Sequence, residues 1–265
     1  MKITGSAGHG LNTIGKRCPD DSMREFMFNI AVFNYFKEGI EKYKDSNGKK
    51  VEVIAVHDPS GKVDISLANR TAHVNRVGAD LHMDFHANAF GEGWNDANGV
   101  ETFVYKKTLK EAVKVAESVQ SEIVKATGLK NRGVKEGNLH MIRETKPTAI
   151  LIEGPFMTNK KEAELLKSDA FRKTFASAIV KGVVNAYNLQ LINPVRTIQF
   201  YTGGYTSGSL LNIHDFLRSK NWYFEPSRAD NGTIMFLIGG FGEASQQAQE
   251  MEGFLKNHGY WYQIK

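Results

Sequence analysis

The sequence predicts an α/β fold, a mainly parallel twisted sheet flanked by helices, followed by a small α+β ferredoxin-like βαββαβ domain. Three observations predict it. Short β-forming segments alternate with longer helical ones over roughly the first 190 residues. Two similar strand, Gly-Gly, helix, strand units close the chain. A length of 265 residues accommodates two unequal domains more comfortably than one core. The expected domains span residues 1–190 and 195–265.

Lys2–Ala7, Val51–His57, Asp80–Ala87, Val100–Lys106 and Thr148–Phe156 are short, apolar and rich in β-formers. Helical patterns lie between and after them, at Ser22–Ile40, Ile65–Val77, Thr108–Thr127 and Asp169–Tyr187. Within Thr108–Thr127, Leu109, Val113, Ala116, Val119 and Ile123 recur at helical steps and make a face for packing on a sheet. Gly128 then offers a stop. The end of the last long helix and Asn193-Pro194 place a boundary near Leu191–Pro194. Beyond it, the stretch 196–205 leading to 216–224 is echoed by 233–241 leading to 254–262.

With 41% hydrophobic and 24% charged residues, the chain reads as an ordinary globular protein. No apolar run approaches the roughly 20 residues of a membrane span, so no membrane insertion is expected. The opening residues lack the apolar core of a secretory signal. Cys18 is the single cysteine, which excludes an internal disulfide and fits synthesis in a reducing cytoplasm. The net charge of +5 sits wholly before Leu191, because six basic residues balance six acidic ones after it. That bias suits an anionic polymer and equally a generic solvated surface. Lys and Arg are scattered rather than gathered into a stripe, so nucleic acid is not an expected partner.

Three candidate metal ligands stand at expected element ends. His9 lies between Gly8 and Gly10 after the first strand, where the backbone can turn sharply. Glu25 opens a helix shortly after Asp20-Asp21-Ser22, which offers capping oxygens. His86 ends a strand. Two histidines and a glutamate leave a fourth position open, the pattern of a catalytic zinc. A further carboxylate is needed to carry the proton to the leaving group, and Glu153, leading out of Ala149-Ile150-Leu151-Ile152, is the candidate. These residues are far apart in sequence, however. Taken singly, each reads better as a capped helix glutamate or a hydrogen-bonded core histidine.

What changes that balance is an ordered set of motifs. Gly8-His9-Gly10, Glu25, Arg70 to Asn75, Gly78 to Asp80, His86 to Asn88, Arg143 to Thr145 before Pro147, and Glu153 to Asn159 follow one another. The chain from Ile3 to about Leu189 thereby resembles the zinc-dependent N-acetylmuramoyl-L-alanine amidases of phage endolysins and bacterial autolysins. The resemblance implies one catalytic Zn²⁺ on His9, Glu25 and His86, with Glu153 as the catalytic carboxylate. It implies cleavage of the amide joining the lactyl group of N-acetylmuramic acid to the L-alanine of the stem peptide, so peptidoglycan is the expected partner.

The sequence departs from the family in places. Ser6-Ala7 stands where relatives usually carry Asp and then Pro or Ala, and Pro155 stiffens the turn after Glu153. In the strand Leu81 to His86, period two puts His82, Asp84 and His86 on one face. Relatives more often have a small or apolar residue at His82 and Ser at Asp84. Asp84 is therefore a candidate support for a ligating imidazole, against the alternative of a surface-facing or helix-covered polar pair. Asn88 is a candidate for holding the substrate's peptide. Arg143 could bind a stem-peptide carboxylate or form an ordinary surface ion pair. His57 reads as a loop residue, while His73, His140, His214 and His258 read as packing or surface residues.

The small domain resembles, less specifically, wall-binding domains of Bacillus-type phage amidases and the sporulation-related repeat. Its Tyr201, Tyr205, Trp222, Tyr223, Phe224, Phe241, Tyr260, Trp261 and Tyr262 suit sugar stacking, or a small core needing bulk. The expected role is a phage or prophage endolysin, made in the cytoplasm and acting on the wall after release, with a monomer favoured. A sporulation or mother-cell-lysis autolysin, a zinc peptidase cutting within the stem peptide, and a wall-binding protein without activity are the competing readings.

Overall fold

The computed structural model describes residues 1–192, 197–202, 207–220, 222–228, 233–242 and 245–264. It divides into two compact units, Met1–Ile192 and Asn193–Lys265. In chain order, the first contains β1 (Lys2–Ala7), α1 (Glu25–Ile40), β2 (Tyr43–Lys44), β3 (Glu52–Ala55), α2 (Leu67–Val77), β4 (Leu81–Asn88) and β5 (Val100–Val104). There follow α3 (Lys110–Thr127), β6 (Asn131–Glu136), α4 (His140–Arg143), β7 (Thr148–Phe156), α5 (Lys160–Lys167), α6 (Asp169–Tyr187) and β8 (Gln190–Leu191).

The main sheet has six strands in the order β3-β1-β4-β7-β5-β6. Neighbours are parallel except for β5, which runs antiparallel to β7 and carries β6 with it. One face of the central strands supplies Met83, Phe85, Ile150 and Ile152 to the large core, with Val32, Phe36, Val115, Val119, Phe175 and Ile179 from α1, α3 and α6. Burial of both faces fits the apolar run Ala149-Ile150-Leu151-Ile152 of β7, whereas β4 alternates apolar residues with His82, Asp84 and His86. Helices α3 and α6 approach closely at Gly182, where a Cβ would lie 2.5 Å from Val119 Cα. The other face of the sheet is covered more sparsely. There α4 packs Ile142 on Ala149 and Leu151, and Met141 meets Val74 of α2.

Most expected elements are present within a few residues, and the differences have physical causes. Strand β6 (Asn-Arg-Gly-Val-Lys-Glu) escapes a periodicity reading because it is a polar edge strand broken by Gly133 at φ 80. Leu109 is the residue before α3 and 48% exposed, so it lies outside the buried face made by Ala112, Val115, Ala116, Val119 and Ile123. Helix α1 begins at Glu25 itself, after Arg24, with no side-chain cap. The Asp20 carboxylate instead accepts from the Ser22 backbone N–H within the preceding loop.

The second unit contains β9 (Thr197–Thr202), α7 (Ser207–Ser219), β10 (Phe224–Arg228), β11 (Ile234–Gly242), α8 (Gln246–Asn257) and β12 (Tyr262–Ile264). Its antiparallel sheet has the order β10-β11-β9-β12, which is the ferredoxin-like βαββαβ arrangement. Ile213 and Leu217 of α7 share one core with Phe236 and Ile238 of β11 and Ala248, Met251 and Leu255 of α8. Trp222, Phe224, Tyr260 and Tyr262 pack on that core, whereas Tyr223 and Trp261 are 64% and 62% exposed. Asn193, Pro194, Tyr205 and the side chains of Tyr201 and Phe241 lie outside the described residues.

Candidate functional site

The site lies at the carboxyl ends of β1, β4 and β7, where open α/β sheets bind ligands. His9 follows β1 in the left-handed region, at φ 65, a conformation that costs a non-glycine residue energy and requires local support. The support is Arg70 of α2, which is 2% exposed. Its guanidinium donates to the Ala7 and His9 carbonyls at 2.7 and 3.1 Å, to Ser6 Oγ at 2.6 Å and to Asp64 at 3.1 Å. A planar fork with five donors is suited to such a clamp. Gly8 is required by proximity, since a Cβ there would lie 2.1 Å from the His86 ring.

Glu25, at the first position of α1, points into this corner and is 1% exposed. Its Oε2 lies 3.4 Å from His9 Nε2, and its Oε1 lies 3.0 Å from His86 Nδ1. Potential ligand atoms of the three residues all fall within 4.8 Å of one another. The Ala87 N–H and Asn29 Nδ2 also donate to Glu25 Oε1, both at 3.3 Å, and Asn29 ties the helix to the Gly8 carbonyl at 3.1 Å. Lys16 Nζ stands 3.8 Å from Glu25 Oε2. The donor set fits a zinc ion: two imidazoles and one carboxylate converge, and each ligand is held by a neighbour.

Asp84 is buried on β4, with Oδ2 3.2 Å from His86 Nε2. Cross-strand pairing sets it opposite Ser6. His82 is buried on the same strand, with Nδ1 3.1 Å from Thr4 Oγ1. The polar pair on this strand is thus enclosed rather than surface-facing, as a helix-covered pair would also be, and Asp84 approaches His86 directly. His57 lies in the bend after β3, as a loop residue should, but is buried with Nδ1 accepting from the Ala7 N–H at 3.0 Å. Glu153 stands on β7 in register with His86. Asn88 donates to Glu101 Oε1 at 2.8 Å, and its Oδ1 accepts from the Ala89 N–H at 2.9 Å. Arg143, on α4, pairs with Glu144 at 2.6 Å and donates to the Asn138 side chain at 2.6 Å.

Burial sets the electrostatics. It pushes the Glu153 carboxyl up to about 7, the His86 charge opposing and Glu25 reinforcing the rise. Desolvation likewise depresses His9 to about 4, against the attraction of Glu25. On Glu25 burial acts upward, but the hydrogen bond and charge of His86, with the charge of His9, hold its carboxyl below the ordinary range. Burial opposes charge on His86 too, yet Asp84 and Glu25 keep its pKa well above the imidazole's usual value.

Residues 5–185 match the family model described as N-acetylmuramoyl-L-alanine amidase. The chain belongs to that family. An N-acetylmuramoyl-L-alanine amidase of Bacillus licheniformis, CwlM, is 34% identical over 125 residues, a match spanning 47% of this chain and about half (47%) of the relative's length. The endolysin of Bacillus phage SPP1 is 29% identical across 69% of this chain and 65% of its own. The crystal structure of an N-acetylmuramoyl-L-alanine amidase from Clostridium difficile 630 superposes with TM-score 0.63 at 28% identity, covering 71% of this chain and 96% of that one. The family's matched span therefore coincides with the first unit and contains every residue of the site.

Sequence reasoning nominated His9, Glu25, His86 and Glu153, which the structure brings together, but gave no role to Arg70, Ser6 or Glu101. Arg70 lies within a quoted motif, yet only the fold reveals a buried guanidinium spanning two carbonyls. Because the folded pKa of Glu153 is raised, its carboxyl penalises folding increasingly from the ordinary value of 4.5 up to about 7 and constantly above. In metal-free protein, Glu153→Gln is thus expected to melt higher than wild type, by a margin that opens over that window and then levels. Melting curves in chelator between about pH 4 and about pH 9 check this; a margin independent of pH would mean that the carboxyl is hydrated in solution.

Proposed function

We propose that this chain is a zinc-dependent N-acetylmuramoyl-L-alanine amidase, cleaving the lactyl–L-alanine amide of peptidoglycan. The observation that carries the reading is the convergence of His9, Glu25 and His86 beside Glu153, within a chain of the amidase family. His9, Glu25 and His86 would hold the metal. Zinc in such a set supplies a Lewis acid for the scissile carbonyl and acidifies water. Glu153, poised near neutrality, takes a proton from the attacking water and returns it to the departing alanine amine. Asp84 accepts from His86 Nε2, which leaves Nδ1 directed at Glu25 and the metal position. The lone pair on Nδ1 requires that His86 give up a proton on metal binding.

The same reading assigns the second unit, residues 195–265 in the sequence partition, to wall binding. The outward Tyr223 and Trp261 are suited to stacking on sugar rings. A role as an endolysin is supported by the phage relative that the chain matches over two thirds of its own length. No described helix is long and apolar enough to cross a membrane, and the substrate is a wall polymer.

On purified peptidoglycan the wild type should release new alanine N-termini. Chelation should abolish this release, added zinc should restore it, and Glu153→Ala should lower it by about 10²- to 10⁴-fold. Peptide fragments without an N-terminal alanine would instead identify a peptidase cutting within the stem. Asp84→Ala is expected to weaken zinc binding by about 10- to 100-fold in competition with a chromogenic chelator, and unaltered affinity would remove the supporting role given to Asp84. A fragment ending at Ile192 should sediment less with purified walls than the full chain; equal sedimentation would strip the second unit of its wall-binding assignment.

A further inference from the structure

Next to Glu153 the sheet carries a second polar cluster that the proposed hydrolysis does not use. Glu101 of β5 is the cross-strand partner of Glu153, so the two side chains emerge on the same face of the sheet. Glu101 is 5% exposed, and a buried carboxylate needs partners. It has three. Asn88, at the end of β4, donates to Oε1 at 2.8 Å, Arg132 Nε donates to Oε2 at 2.8 Å, and Lys135 Nζ also donates to Oε2.

The two cations are not equivalent. Arg132 is committed: Nη1 reaches the Asn98 carbonyl at 3.4 Å, and the guanidinium lies 4.9 Å from the centre of the Phe156 ring. Its charge also acts on the buried carboxyl of Glu162. Lys135 of β6, in register with Phe103 of β5, brings a second positive charge. Its side chain is 39% exposed, and among the described residues Glu101 is the one hydrogen-bond partner of an ammonium that has three donors. Lys135 therefore presents a part-exposed ammonium with unused donors to solvent, two strands away from Glu153 in the order β7-β5-β6.

We infer that Lys135, braced by Glu101, binds a free carboxylate of the stem peptide and makes it a specificity determinant. The inference rests on the amidase reading for the identity of the substrate. Two strand spacings amount to about 10 Å, and an extended peptide covers about 3.3 Å per residue. A carboxylate on the second residue of the stem, just beyond the alanine, falls within the reach of a lysine side chain at that distance. Such a group can be presented either as the free acid or as its amide, and only the acid carries the charge that Lys135 recognises. Glu101 is a positioning residue in this scheme, since it fixes the ammonium while Asn88 links it to the end of β4.

The test compares two walls, and two soluble stem peptides, that differ only in amidation of that carboxylate. The full-length wild type should cleave the acid form with a KM about tenfold lower, the size of one charge-assisted contact. Lys135→Met should remove the preference by raising KM on the acid form, and Lys135→Arg should keep most of it. Equal loss of kcat on both walls in Lys135→Met would mean that the lysine merely stabilises the sheet edge, and would overturn the inference. Calorimetric titration with the two peptides separates this question from the amidase reading. Equal affinity of the wild type for acid and amide overturns the role of Lys135 whether or not the walls are cut. Preferential binding of the acid that is lost in Lys135→Met supports it, even if the cleaved bond proves to be another one.

Discussion

Glu25 is a carboxylate almost withdrawn from water, and the rest of the site is arranged around the cost of keeping it there. An uncompensated buried charge costs several kcal/mol on the scale of about 20 kcal/mol for ideal desolvation. The compensation comes from three separate parts of the chain: His9 after β1, His86 at the end of β4, and Asn29 one helical turn further along α1. Each partner is positioned in turn. Arg70 grips the carbonyls around His9, and Asp84 engages the far nitrogen of His86. The absence of a side chain on Gly8 lets the His86 ring approach. The same demand for compensation shapes the adjoining cluster, where Glu101 gathers Asn88, Arg132 and Lys135.

The sheet serves this arrangement by dividing its two faces between different tasks. The face toward α1, α3 and α6 is a continuous apolar core and carries the stability. The opposite face bears His82, Asp84, His86, Glu153 and Glu101, and among the described helices α2 and α4 pack over it. Several of the ionisable groups pair there, Glu25 with His9 and His86, His86 with Asp84, and Glu101 with Arg132 and Lys135. His82 Nε2 and Asp84 Oδ1 have no hydrogen-bond partner among the described residues. The shifted pKa values follow from this burial and pairing. A site built on strand ends over a rigid core is held to geometry that loops alone would not maintain. The left-handed His9 is the strained point, and it is held by the buried guanidinium of Arg70.

The second unit shows the limit of reading aromatic residues as ligand contacts. Nine were candidates for stacking on sugars. Trp222, Phe224, Tyr260 and Tyr262 pack on its core, as expected where few residues must fill a space between one sheet and two helices. Tyr223 and Trp261 face outward. Composition alone could not separate the two groups, because bulk for packing and a flat face for stacking call for the same side chains.

Much of the architecture was legible from periodicity. The buried strand β7 is apolar up to Glu153, β4 alternates apolar with polar residues, α3 has a clear helical stripe, and the internal repeat announced the βαββαβ unit. Strand β6 was not legible, because an edge strand carries charge and is recognised only by what it pairs with. His9, Glu25, His86 and Glu153 could be nominated from the ordered motifs, since short glycine-flanked or strand-end segments leave a mark in sequence. The sequence by itself determined which residues are able to ligate, to titrate and to pack. Only the tertiary structure decided that Asp84 lies against His86, that Arg70 clamps the His9 turn, and that Lys135 pairs with Glu101, the cross-strand neighbour of Glu153. Those relations join residues 2 to 61 positions apart through strand pairing and helix cover, and the energy that enforces them is the desolvation of charged groups, which exists only once the chain has closed around them.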